Sequence, residues 1–120
     1  MLQIERHHAQ EMFAHALKED PNECCGILAG KNEIVSHLYR ITNTAKSPYR
    51  YLMDPQGQLN AMVDAERNGL DFIAFYHSHT HGPAYPSATD VRLSQQLSWP
   101  NIYYVLVSLE NKTEPDIKAY

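Results

Sequence analysis

Apolar positions recur along this chain at two different periods. Over residues 4–18 they fall at Ala9, Met12, Phe13, Ala16 and Leu17, the spacing of an amphipathic helix, and Asp20-Pro21-Asn22 stops it. Residues 23–29 are a short apolar run closing at Gly30. Lys31-Asn32 then reads as a hairpin turn before a second strand over 33–41. A polar loop at 42–48 leads into 49–53, which alternates weakly and predicts another strand. Asp54 is an N-cap residue with Pro55 at the first helical position, and the helix they open is expected to bury Leu59, Met62 and Val63 before Asn68-Gly69 ends it. Residues 72–76 are apolar and aromatic, the pattern of a buried strand. A loop at 82–86 precedes a helix that Ser87 opens and Trp99-Pro100 closes. Residues 102–109 are strongly β-prone. Residues 116–120 alternate up to the last position, which suggests that the native protein continues further. The order predicts a mixed α/β or α+β fold: one domain over residues 1–120, built on a single curved sheet flanked by helices.

Composition narrows the function. The net charge is −4 and no run of Lys or Arg stands out, which argues against nucleic acid as the main partner. No apolar stretch is long enough to span a bilayer, and the first residues lack the apolar core of a signal peptide. The two cysteines, Cys24 and Cys25, are adjacent and cannot close a loop with each other. They point to packing and to a reducing, cytoplasmic compartment. A Gly-rich phosphate loop and a dinucleotide fingerprint are both missing, so a nucleotide cofactor is not expected.

The candidate chemistry lies after the 72–76 strand. His77-Ser78-His79 puts two imidazoles on one face at strand spacing, with Ser78 facing away. Two imidazoles and a carboxylate are a common set of ligands for a hydrolytic zinc ion, and Asp90 opens the next element. Ser87-x-x-Asp90 also has a purely local reading as a capping box, and on local evidence that reading is the stronger. The two are compatible, because a first-turn residue can project back toward the strand end. His81 keeps the parity of His77 and His79, but Gly82-Pro83 should break the alternation, so a rim position is expected for it. Of the seven histidines, His7, His8 and His15 are placed on the polar side of the first helix, and His37 half-buried in a strand. Glu23 begins an apolar strand. It is a candidate base in a low-dielectric setting, although taken alone a solvated strand-end Glu is the simpler reading.

Together these residues resemble the JAMM (MPN-plus, or Mov34/PAD-1) metalloprotease domain, in particular its small bacterial stand-alone members. The family pattern is an early-strand Glu, then His-x-His, seven residues, Ser, two residues, Asp. Here it reads Glu23, His77-Ser78-His79, Ser87, Asp90. Glu23-Cys24-Cys25-Gly26-Ile27-Leu28-Ala29-Gly30 resembles the family's Glu strand, and Asn43-Thr44-Ala45 with residues 49–55 resembles the middle of the bacterial members. Thr80, where Pro is frequent, and the additional His81 are departures that bear on substrate preference. The resemblance implies that His77, His79 and Asp90 hold one Zn²⁺ with water as the fourth ligand. It implies that Glu23 is general base and then acid, and that Ser87 donates to the oxyanion. It also implies a substrate: the peptide bond after the Gly-Gly terminus of a ubiquitin-like or sulfur-carrier protein, whose tail would pair with an edge formed by residues 42–48 and the strand after them. A non-catalytic MPN-type interaction scaffold is the alternative, but scaffolds of that kind lose the ligands and this chain keeps them. A zinc deaminase would need His-x-Glu and Pro-Cys-x-x-Cys, which this chain lacks.

Overall fold

The computed structural model describes residues 1–88, 90, 91 and 101–120. Its elements are α1 (Arg6–Glu19), β1 (Cys25–Lys31), β2 (Ile34–Ile41), α2 (Pro55–Arg67), β3 (Asp71–His79), β4 (Tyr103–Ser108) and β5 (Asp116–Ala119). They build one five-stranded sheet in the order β2-β1-β3-β4-β5. Only β3 and β4 run parallel; β1 pairs antiparallel with both β2 and β3, and β5 antiparallel with β4. This is the expected mixed sheet with helices.

The two faces of the sheet follow from strand alternation. Cys24, Leu28, Ala74 and Tyr76 pack with Met12 and Ala16 of α1. Cys25, Ile27 and Phe75, one residue out of step, pack with Ala61 of α2 and with Tyr51. Gly26 lies opposite Tyr76 across the strand pair. A side chain there would come within 2.1 Å of the Tyr76 ring, so the missing Cβ is what lets that ring lie flat over β1.

Several expectations change. The strand predicted at 49–53 does not form; the segment carries one isolated bridge, Asn43 to Met53. The Leu52 amide donates to the Asn43 side chain and the Tyr49 amide to the Ser47 hydroxyl instead of to a neighbouring strand. Leu59, Met62 and Val63 are exposed at 50, 38 and 46 %, and Ala61 and Ala65 are the residues of α2 that are buried. Small side chains let the helix approach the sheet closely, with Asp64 accepting a hydrogen bond from the Tyr39 hydroxyl at 2.6 Å. His8 and His15 are buried rather than solvated, while His37 is exposed rather than half-buried. The 72–76 strand is longer than its apolar core, because β3 continues through His79. Asp54 caps α2 as expected, its carboxylate accepting from the Gly57 amide at 3.1 Å. Val91 donates its amide to the Ser87 carbonyl, so a helix does open at Ser87; its expected end at Trp99-Pro100 lies outside the described residues.

Candidate metal centre and active site

His77 and His79 sit at the end of β3 on the α2 face, two residues beyond Phe75 and in its parity. The helix opening at Ser87 turns back on them. Asp90 Oδ2 lies 2.8 Å from His79 Nε2, and Asp90 Oδ1 lies 3.1 Å from His77 Nε2. One potential ligand atom from each of the three residues falls within 4.8 Å of the others, so the group can hold a metal ion. His77 and Asp90 are buried, and the His79 side chain is 12 % exposed.

The surroundings fix the ring orientations. His79 Nδ1 donates to the Pro83 carbonyl at 2.9 Å, which turns its Nε2 toward Asp90 Oδ2 at 2.8 Å. Tyr51 stacks on the His77 ring with centroids 4.4 Å apart. Both ring nitrogens of His77 are buried without an aligned hydrogen-bond partner; the 3.1 Å approach of Nε2 to Asp90 is an ion-pair contact only. A buried imidazole in that state has a lone pair to give and nothing in the protein to give it to. Two nitrogens and a carboxylate oxygen are a donor set that suits zinc.

The capping box is also present. Ser87 N donates to Asp90 Oδ2 at 2.9 Å, and Asp90 N donates to Ser87 Oγ at 3.0 Å. Ser87 Oγ accepts from the helix amide, and its hydroxyl has no acceptor among the hydrogen bonds of the described residues. Burial works to raise the Asp90 pKa. The His77 and His79 imidazoles beside it and the hydrogen bond from the Ser87 amide outweigh it and hold the carboxyl well below the usual range. The two imidazoles are driven apart: burial lowers His77, whereas Asp90 and the Pro83 carbonyl raise His79 against its burial.

Glu23 precedes β1. Cys25 pairs with His77, and the Ser78 amide donates to the Cys24 carbonyl, so the same register brings Glu23 opposite His79. Its side chain is buried and Oε1 has no partner. Burial pushes its pKa up to about 8, with His79 pulling down and Asp90 pushing up. The backbone of Glu23 is clamped: its amide donates to the Ser47 carbonyl at 2.9 Å, and its carbonyl accepts from Asn43 Nδ2 at 2.9 Å. Asn43 and Tyr51 are thus positioning residues that the sequence does not announce as such. The hint the sequence carries is the resemblance of Asn43-Thr44-Ala45 and residues 49–55 to the middle of the bacterial family members. His81 is exposed, bonded to the neighbouring Thr80 hydroxyl, and stands outside the cluster.

A sheet end carrying this cluster belongs to a defined class. The chain is a member of the family of prokaryotic homologs of the JAB domain, which it matches over residues 5–120. Within that class it is 38 % identical over 114 residues to the CysO-cysteine peptidase of Mycobacterium tuberculosis, covering 91 % of this chain and 74 % of that protein. It is 41 % identical over 93 residues to a probable TtuB-protein conjugate cleaving protease of Thermus thermophilus, covering 77 % of this chain and 62 % of that one. The solution structure of a Desulfitobacterium hafniense protein superposes with a TM-score of 0.88 at 36 % identity, covering 99 % of this chain and 82 % of the other. The chain therefore groups with hydrolases that act on peptide bonds.

Proposed function

We propose that this chain is a zinc-dependent JAMM-type peptidase. Its substrate on this reading is the peptide or isopeptide bond after the C-terminal Gly-Gly of a ubiquitin-like or sulfur-carrier protein. The observation that carries the proposal is a buried Glu23 whose Oε1 has no hydrogen-bond partner, set opposite His79 beside a His77-His79-Asp90 cluster that can hold a metal ion. Relatives named for cleaving a CysO-cysteine adduct and TtuB conjugates support the substrate class. A binding scaffold has no use for such groups, because each unpaired buried polar atom costs about 1–3 kcal/mol.

His77, His79 and Asp90 hold the metal. When bound, Zn²⁺ supplies a Lewis acid that brings the pKa of a water ligand to about 7 and polarises a carbonyl. Positive charge at the cluster opposes the effect of burial on Glu23, so its carboxylate sits near the pH at which it both takes and returns a proton. Glu23 takes a proton as water oxygen bonds to the scissile carbon. It returns that proton to the nitrogen as the C–N bond breaks. Ser87, its Oγ fixed by the Asp90 amide, donates its hydroxyl hydrogen to the carbonyl oxygen as negative charge builds there. A Gly-Gly tail can lie extended and pair through its backbone, with the loop at 42–48 as its candidate partner. The free edges of the sheet are β2 and β5, so a tail at this loop would pair with loop backbone rather than with a strand. Adjacent buried thiols at Cys24 and Cys25 suit a reducing cytoplasm.

The test is cleavage of a Gly-Gly-ended carrier fused to a short peptide, comparing wild type with Glu23→Gln. Turnover should fall by at least ~10²-fold, the scale of a lost general base, while zinc content and folding stay intact. Equal rates for the two proteins would sink the mechanism.

A further inference from the structure

Residues 80–86 run from His79, the last residue of β3, to the helix that Ser87 opens and that carries Asp90. This loop joins two of the three ligating residues, so its curve sets how they face each other. It has no helix or strand of its own to hold that curve.

What holds it is a set of side chains from outside. Three consecutive carbonyls of the loop are each taken by a donor from a different place in the fold. Ser108 Oγ, at the end of β4, donates to the Gly82 carbonyl at 2.6 Å. His79 Nδ1, at the end of β3, donates to the Pro83 carbonyl at 2.9 Å. The Tyr120 hydroxyl, just beyond β5, donates to the Ala84 carbonyl at 2.7 Å. The middle bond orients the imidazole. The outer two hold its acceptor from both sides.

Both outer donors are themselves fixed. Ser108 is buried and is the register partner of His79 across the parallel pair of β3 and β4. Its oxygen accepts the Glu110 amide at 3.2 Å, and its one hydrogen goes to Gly82. Tyr120 exchanges backbone hydrogen bonds with Tyr104 at 2.8 and 2.9 Å, and its ring meets that of Tyr85 edge to face. Core packing does not explain Tyr120, which is exposed. Pro83 is exposed and Gly82 half-buried, so this stretch of loop has water at hand for its carbonyls. Protein donors there add direction to what water would merely satisfy.

We propose that Ser108 and Tyr120 are positioning residues for the metal centre. They hold the carbonyls on either side of Pro83 and thereby fix the acceptor that turns His79 Nε2 toward Asp90. The partner of a ligating histidine's second nitrogen sets its ring plane and basicity, and losing such a partner costs roughly 10–100-fold in metal affinity. Here the Pro83 carbonyl stays and only its support is lost, so the low end of that range applies. The inference rests on the metal-binding reading of the same site and extends it to residues outside the ligand set.

The test measures zinc affinity, by competition with a chromophoric chelator, for wild type, Ser108→Ala, Tyr120→Phe and the double variant. Urea unfolding of the metal-free proteins is followed alongside. Zinc should bind about threefold more weakly to each single variant and about tenfold more weakly to the double variant. Tyr120→Phe keeps the exposed ring, so the result does not hang on how the buried Ser108 site repacks. Tyr39→Phe is the control: it loses a hydroxyl bond of 2.6 Å to Asp64 on α2 and should unfold at lower urea with zinc affinity unchanged. Cobalt(II) loaded in place of zinc should show a shifted visible absorption in the double variant and not in the control, a signature that lost stability alone does not produce. A double variant that matches wild type in zinc affinity and cobalt spectrum overturns the inference and leaves the metal centre standing. So does a Tyr39→Phe protein that loses zinc to the same extent. A wild type that takes up no zinc removes the metal centre and this inference with it.

Discussion

The two faces of the sheet end differ by one residue of register and present opposite chemistry. On the α1 face, the Tyr76 hydroxyl and His15 Nδ1 lie 2.7 Å apart, and Ser78 Oγ accepts the Cys24 amide at 2.8 Å. On the α2 face, Glu23 Oε1 and both nitrogens of His77 have no hydrogen-bond partner. Both sets are buried polar groups on the same strands. Folding alone accounts for the first set, whose members satisfy one another. It does not account for the second, which waits for something from outside. His8 Nδ1 and Asp20 Oδ1 are also unpartnered, but neither belongs to a ligating cluster among the described residues. Burial therefore does not mark function here; clustered, unfilled valence does.

The largest effect expected on the α2 face comes from Asp90→Ala. Zinc measured by elemental analysis should drop from about one per chain to near none, because one of three protein ligands is gone. Loss of the carboxylate that accepts the Ser87 amide should also cost about 1 kcal/mol in helix capping. Undiminished zinc in this variant would take Asp90 out of the ligand set and leave only its capping role. The matching change on the α1 face is Tyr76→Phe, which strands His15 Nδ1. Urea denaturation should show a loss of about 1–3 kcal/mol with zinc and kcat unchanged. A loss of zinc there would break the separation of the faces.

A pH series sharpens the contrast further. Burial, then Arg40 and Lys18, lower His15 in the fold to about 4, whereas the unfolded chain protonates near 6.5. Its contribution to stability is complete above pH 6.5 and is lost as pH falls toward 4, because the unfolded state takes up the proton first. Metal-stripped His15→Gln should lose less stability than metal-stripped wild type between about pH 7 and about pH 4.5; identical slopes would show that His15 does not titrate as a buried base. The smallest effect is assigned to His81→Ala. Zinc should be retained and KM should change a few-fold with kcat nearly constant, as for a contact that binds ground and transition states alike. Lost zinc would make His81 a ligand.

How much of this was legible in the chain varies with the physics behind each element. Strand parity and register fixed the relation of His77, Ser78 and His79, because an i, i+2 pair on a buried strand has one geometry. Ser87 and Asp90 were readable twice over, and the structure gives the cap its full pair of hydrogen bonds while bringing Asp90 against His77 and His79. The inward face of α2 was misread because two stripes compete along it. Leu59, Met62 and Val63 carry the hydrophobicity, but Ala61 and Ala65 carry the fit, and close approach to the sheet decides. His8 and His15 were misplaced for a related reason: a histidine on a helix reads as polar until a tertiary partner such as Tyr76 makes it a core residue. The 49–53 segment failed as a strand because one side chain, Asn43, already occupies its backbone groups, a non-local fact that alternation cannot show.

That side chain has a consequence for anyone who would transplant or redesign this loop. Asn43 holds the carbonyls of Glu23 and Arg50 with its amide nitrogen and the amides of Ala45 and Leu52 with its oxygen. The loop's shape is thus written in one amide group rather than in a ladder of strands. A graft that copies the loop's length but omits Asn43 would deliver a different curve. One that keeps Asn43 and its four contacts can vary the exposed positions Tyr49, Arg50 and Leu52, where new tail preferences can be selected without touching the seat of Glu23. Asp in place of Asn43 keeps the two acceptor contacts and loses the two donated ones, one of which seats Glu23. The interchange usually thought mildest is, at this position, a change to the active site.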